Sequence, residues 1–134
     1  MNLRASMASV LAAGGLLTVG CTTQMRYINE IDLVNTCGVP LQVEALHATN
    51  WLPPLEPLEP RIVAPGERIA VASYMSFGED VDVQVSCSYS LTVKGAERTR
   101  LVSADDMRYA LLGVKRERDG GRRIWTLKDG VFCP

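Results

Sequence analysis

The chain has 134 residues, 47% of them hydrophobic and 22% charged, with a formal net charge of −1. That is the balance of an ordinary globular protein, and it excludes extensive disorder. The length fits one domain with a real core, so disulfides would reinforce the fold rather than replace it.

Residues 1–20 have the three parts of a secretory signal. Arg4 supplies the positive start, Ala5 to Val19 is apolar and uncharged, and Thr18, Val19 and Gly20 are small enough for a peptidase site. The apolar stretch falls short of the roughly 20 residues that a spanning helix needs. Gly14 and Gly15 weaken it further as a permanent span.

Cys21 follows directly. Leu17-Thr18-Val19-Gly20-Cys21 resembles the lipobox of bacterial lipoprotein precursors, with Thr18 where Leu, Val or Ile is usual. The resemblance covers only the start of the chain. It implies that the signal is cut after Gly20 and that Cys21 becomes the lipidated first residue. It also implies export and an anchor in a bacterial membrane. Thr22, where Asp would signal retention at the inner membrane, implies the outer membrane with the domain facing the periplasm. Residues 21–27 are then a lipidated tether, and Cys21 to Arg26 reaches at most about 20 Å when extended. Residues 28–134 are a single domain.

Within that domain, residues 28–36 read as a strand with Ile31 and Leu33 on one face and Asp32 and Val34 on the other. Gly38 and Pro40 mark a turn, and Leu41, Val43 and Ala45 alternate in a second strand, which suggests a hairpin. Residues 49–60 contain Leu-Glu-Pro twice in succession, a polyproline-like spacing that excludes a helix or a central strand. Arg61 to Ala64 and Arg68 to Tyr74 are strands around a Pro65-Gly66-Glu67 turn, with Ile69, Val71 and Ser73 on one face of the second.

The most regular pattern comes next. Val81, Val83, Val85, Cys87, Tyr89, Leu91 and Val93 recur at period two, which predicts one long strand with a bend near Ser86–Ser88. Arg98 to Ser103 is a further strand. Ser103 reads as the cap of a short helix with Asp105 and Asp106 in its first turn and Met107, Ala110 and Leu111 inward. Leu112 to Arg118 and Arg122 to Lys128 flank Asp119-Gly120-Gly121, a hairpin turn. About seven or eight short strands with at most one short helix predict an all-β fold. An antiparallel β-sandwich is the first reading and a small β-barrel the alternative.

With Cys21 lipidated, Cys37, Cys87 and Cys133 remain, so one bridge and one free thiol are expected outside the cytosol. Alternation puts Cys87 on an apolar face, where a thiol survives as a small inert hydrophobe. This favours Cys37–Cys133 over Cys37–Cys87, and a Cys133 bridge to another chain is the third option.

Catalytic and metal chemistry find little support. His47 is the one histidine, no Cys-x-x-Cys occurs, and zinc needs about four ligands. The paired carboxylates Glu79/Asp80 and Asp105/Asp106 sit beside turns or a helix start, where acids have structural reasons to be. No nucleophile motif or phosphate loop appears. The reading is a non-enzymatic domain with no cofactor and no metal.

Two features point to binding. Residues 21–97 hold four basic and ten acidic side chains, whereas residues 98–134 hold nine basic and five acidic. The excess concentrates at Lys115, Arg116, Arg118, Arg122 and Arg123, a candidate patch for an anionic envelope partner; export argues against nucleic acid. Trp51, Leu52, Leu55 and Leu58 in the Pro-rich stretch are a candidate docking loop. The sequence therefore suggests an envelope lipoprotein that binds a protein partner. A periplasmic inhibitor or ligand-binding lipoprotein is the alternative, although the Ser-Gly-x-x-Tyr signature of the lysozyme-inhibitor lipoproteins is absent.

Overall fold

The computed structural model describes residues 24–50, 58–78, 80–128 and 130–134. Eight strands form two open four-stranded sheets, so the chain is a β-sandwich and not a barrel. The strands are β1 (Tyr27–Val34), β2 (Leu41–Leu46), β3 (Leu58–Val63), β4 (Arg68–Ser76), β5 (Ser90–Lys94), β6 (Thr99–Ser103), β7 (Arg116–Asp119) and β8 (Arg122–Leu127). One sheet, A, has the order β4-β1-β8-β7; the other, B, has the order β3-β2-β5-β6. Pairing is antiparallel throughout except for β1 with β8, which run parallel.

The alternation read from the sequence sets the core. Ile31 and Leu33 of β1, Leu41, Val43 and Ala45 of β2, Leu91 and Val93 of β5, and Trp125 and Leu127 of β8 meet between the sheets. β4 departs from simple alternation. The register with β1 shifts between Ile31 and Asp32, leaving one extra residue in β4. A bulge of this kind reverses the side-chain phase. Ile69 and Val71 face inward before it, and Ala72, Tyr74 and Ser76 after it, so Ser73 is not the next inward residue.

Strands β1 and β2 do not form the expected hairpin. They belong to different sheets, and residues 35–40 cross between them. Asn35 anchors this crossing. Its Nδ2 donates to Val39 O at 2.8 Å and Val63 O at 2.9 Å, its Oδ1 accepts from Cys37 N at 2.9 Å, and its backbone joins Glu67 and Gly66. One buried amide thus replaces the ladder that a hairpin would have supplied. Pro60 sits within β3, on the edge of sheet B, where a missing N–H is tolerated.

The long strand expected over residues 81–94 is also broken. Asp82–Gln84 form a 3-10 turn, Ser86–Ser88 turn again, and only Ser90–Lys94 is strand. Val81, Val85 and Tyr89 are buried. A spacing of four satisfies both a period of two and a helical turn, so alternation alone could not separate them. The serines decide it: the Ser86 and Ser88 hydroxyls lie 2.8 Å apart, and Ser86 Oγ also accepts from Ser88 N at 3.2 Å, local bonds that favour a turn.

Helix α1 (Ala104–Leu111) runs from the end of β6 to the approach to β7 and closes the open side of the sandwich. Ala104, Met107 and Leu111 are its buried face. Ser103 caps it as expected, with a full capping box.

Cys37 and Cys133 form a disulfide, with Cα atoms 5.6 Å apart, and Cys87 is free. The pairing matches the favoured reading, but the reason given for Cys87 does not hold. The Ser86–Ser88 turn leaves its thiol exposed instead of on an apolar face. No helix among the described residues is long and apolar enough to cross a membrane.

These connections give the sandwich two distinct ends. The loops 35–40, 64–67 and 95–98 and the terminal turn lie at the disulfide end. The start of β1, the end of β4 and the Gly120-Gly121 turn lie at the other, called the tether end below because the described chain begins there.

Candidate functional site

Two hollows flank the C-terminal half of α1. The larger, about 700 Å³, lies between the helix and the terminal turn and is lined by Tyr109, Ala110, Leu112, Val131 and Phe132, with Arg100 and Asp106 at its rim. The capping box fixes the helix that forms one wall: Ser103 Oγ accepts from Asp106 N at 3.2 Å, and Asp106 Oδ2 accepts from Ser103 N at 3.0 Å. The Ser103 backbone N–H and then its hydroxyl hold the Asp106 carboxyl below the usual range. The Arg100 guanidinium sits 5.9 Å over the Phe132 ring. Tyr109 and Leu112 are 79% and 75% exposed, which is high for side chains of their size.

The smaller hollow, about 360 Å³, lies on the other side of Leu112. It is lined by Asp80, Asp82 and Arg116 together with Val81, Leu111, Leu112 and Trp125. The larger hollow is mainly apolar with a charged margin, a composition suited to receiving side chains of a protein partner, whereas the smaller is of mixed polarity.

Arg108 holds the adjoining segment in place. It donates to Asp82 O at 3.2 Å and to Val85 O, pairs with Asp105 at 2.9 Å, and reaches Cys87 Sγ at 3.7 Å. The carboxylates Asp105 and Asp106 are thereby assigned to an ion pair and a cap. Glu79 lies outside the described residues. His47 is exposed at the end of β2 with a left-handed φ of 53°, and its carbonyl accepts from Tyr74 Oη at 3.4 Å. Among the described residues no three His, Cys, Asp or Glu side chains gather as a metal site would need.

The five basic residues singled out in the sequence do not form one patch. Lys115 is exposed ahead of β7, and Arg116 turns into the Trp125 hollow. Arg118 is exposed on β7, and Arg122 pairs with Glu30 at 2.8 Å. Arg123 is buried, at 7% exposure, with its guanidinium 4.5 Å over the Tyr27 ring and Nη1 donating to Gly120 O at 2.7 Å. The β7–β8 register puts Arg116 opposite Trp125 and Arg118 opposite Arg123, so those two arginines share the inward side at different depths.

Of the docking loop, Trp51, Leu52 and Leu55 lie outside the described residues, as do Cys21 and the signal segment. Leu58 begins β3 opposite Ala45. Asn50, just before the loop, is held at the tether end by paired bonds to the Met75 backbone, at 3.0 and 2.7 Å.

The outer face of sheet A carries a charge network that sequence reasoning missed. Asp32, 4% exposed, accepts from Arg68 Nε, and Arg68 also donates to Thr126 Oγ1 at 3.0 Å. Burial pushes the Asp32 carboxyl above its ordinary value, the Arg68 bond opposes that, and nearby Glu30 adds to it. The only sequence signal was the alternation that placed Asp32 and Arg68 on outward positions of separate strands. Comparison with protein-family models, with curated proteins and with solved structures finds no match to this chain.

Proposed function

We propose that the chain is a lipid-anchored envelope protein, held at the outer membrane through Cys21, whose sandwich docks a protein partner. No catalytic step is part of this role. The observation that carries the docking reading is the exposed pair Tyr109 and Leu112 above the trough floored by Ala110 and Phe132. Large side chains held on a rigid, capped helix lose little entropy when covered, so they serve well as interface anchors. The Cys37–Cys133 bridge supports the extracytoplasmic part of the reading, because such a bond persists in oxidising compartments.

A photo-crosslinking residue placed at Tyr109, in cells of the native host, tests the docking face. The reading expects one discrete adduct that is lost when Leu112→Asp is added and absent when the crosslinker replaces Val39 at the disulfide end. Equal adducts from both positions, or none from Tyr109, would contradict it.

A further inference from the structure

The residues gathered at the tether end suggest what that end touches. β1 starts beside the β7–β8 turn: Ile28 N donates to Gly121 O at 3.0 Å, and a Cβ on Gly121 would lie 3.6 Å from Arg26 O. Arg26 therefore lies against this turn. Cys21 is five residues before Arg26, a reach of at most about 18 Å. The opposite end of sheet A is farther by the length of β1, roughly 25 Å for eight residues of strand.

We infer that the tether end of sheet A rests on the membrane that holds the anchor. Its exposed arginines, Arg26, Arg118 and Arg122, lie on the phosphates of anionic lipid headgroups, and its exposed apolar side chains lie at the headgroup boundary. The inference deepens the lipid-anchored reading of Cys21 and rests on it.

Charge and polarity fit that surface. Arg26, Arg118, Arg122 and Arg123 stand at this end of sheet A against Glu30 and Asp119. Arg122 keeps its bond to Glu30 and still has donors to offer, since a guanidinium carries five N–H groups. Met25 and Phe77, 67% and 57% exposed, flank the same end, Phe77 directly after the last residue of β4. Exposed apolar side chains beside arginines are the pairing that interfacial segments use. The sheet B half of this end carries Asp105 and Asp106 at the start of α1 instead. The charge difference tilts the sandwich with sheet A toward the lipid, leaving the α1 trough to one side and open to a partner.

The test uses the full-length protein, processed in a bacterial host and reconstituted into vesicles. One set is phosphatidylethanolamine with phosphatidylglycerol; the other is phosphatidylcholine alone. In a Cys87→Ser background, a fluorophore is attached at Phe77→Cys or, as control, at Ile62→Cys near the disulfide end. Quenching by nitroxide-labelled headgroup lipids is then read.

The inference expects stronger quenching at position 77 than at position 62 in the anionic vesicles. Arg26→Ser and Arg118→Ser should each lower the docked-to-undocked ratio about fivefold there, and leave it unchanged on phosphatidylcholine. Equal quenching at the two positions in protein that carries lipid overturns the inference while the anchored reading stands. Indifference to lipid charge and to the arginines overturns it as well. A purified protein whose first tryptic peptide carries no acyl chain overturns the anchored reading and this inference with it.

Discussion

At the disulfide end, Cys37 and Cys133 are covalently joined, and Asn35 has both its amide hydrogens and its Oδ1 engaged by backbone partners in its own loop and in β3. At the tether end, Asn29 is as deeply buried, yet only its Nδ2 is engaged, by Tyr74 O and Ser76 Oγ; its Oδ1 has no partner among the described residues. At the tether end, exposed Arg26, Arg118 and Arg122 stand beside exposed Met25 and Phe77. One end holds the sheets together, and the other presents a surface. A domain attached by a short tether needs both, since stability can be concentrated far from the region that must meet a partner.

Removing the bridge should have the largest effect. Cys37→Ser with Cys133→Ser opens a loop of 96-residue separation, and guanidinium denaturation should show a loss of about 4 kcal/mol. Cys87→Ser should stay within about 0.5 kcal/mol of the parent. A comparable loss from Cys87→Ser would contradict the assignment of that thiol as free.

The two asparagines sharpen the contrast. Asn35→Ala strands several buried backbone groups and should cost about 3 kcal/mol, whereas Asn29→Ala should cost about 1 kcal/mol. The reverse order in the same denaturation assay would remove the distinction between the ends.

The cap lies between these extremes. Ser103→Ala deletes the hydroxyl half of the Ser103–Asp106 exchange, leaving the backbone N–H of residue 103 to Asp106, and should cost about 1 kcal/mol. The crosslink from Tyr109 should weaken with it, because the trough loses the fixed helix that forms one wall.

Asp32 adds a pH test on the outer face of sheet A. Its carboxyl is raised from the ordinary 3.8 because burial outweighs the bond from Arg68. The folded state therefore holds the proton more tightly than the unfolded chain. Stability from this group is fullest below 3.8 and falls as pH rises from there through the raised native value. Asp32→Asn should remove that fall, seen as a flatter melting temperature against pH in the acidic range. A steeper fall in the variant would show that Arg68, not burial, governs the carboxyl.

The smallest stability effect belongs to Phe77→Ser, within about 0.5 kcal/mol, because its side chain packs little. Its value lies in the contrast with vesicle docking, which it should reduce.

The sandwich was legible where pattern and physics had one solution. Alternation in β1 and β2, the Ser103 cap and the Gly120-Gly121 turn were read as they stand, since each rests on local geometry. The crossing after β1 was not legible, because Gly38 and Pro40 mark a turn without saying which sheet receives the next strand. The bulge in β4 and the broken segment over residues 81–89 escaped for a related reason: period two tolerates a phase slip or a helical turn when every fourth residue is apolar. At the candidate surfaces, charge count located the basic hairpin but could not show that Arg123 stacks on the Tyr27 ring or that Arg122 pairs with Glu30. Those contacts depend on β1 lying parallel beside β8, a pairing of distant segments. The α1 trough depended likewise on where the terminal turn returns.

The most direct measurement is the mass of the first tryptic peptide of the protein purified from a bacterial envelope. The account predicts a peptide that begins at Cys21, ends at Arg26 and carries three acyl chains. A peptide with an unmodified Cys21, or one that starts elsewhere, would contradict it.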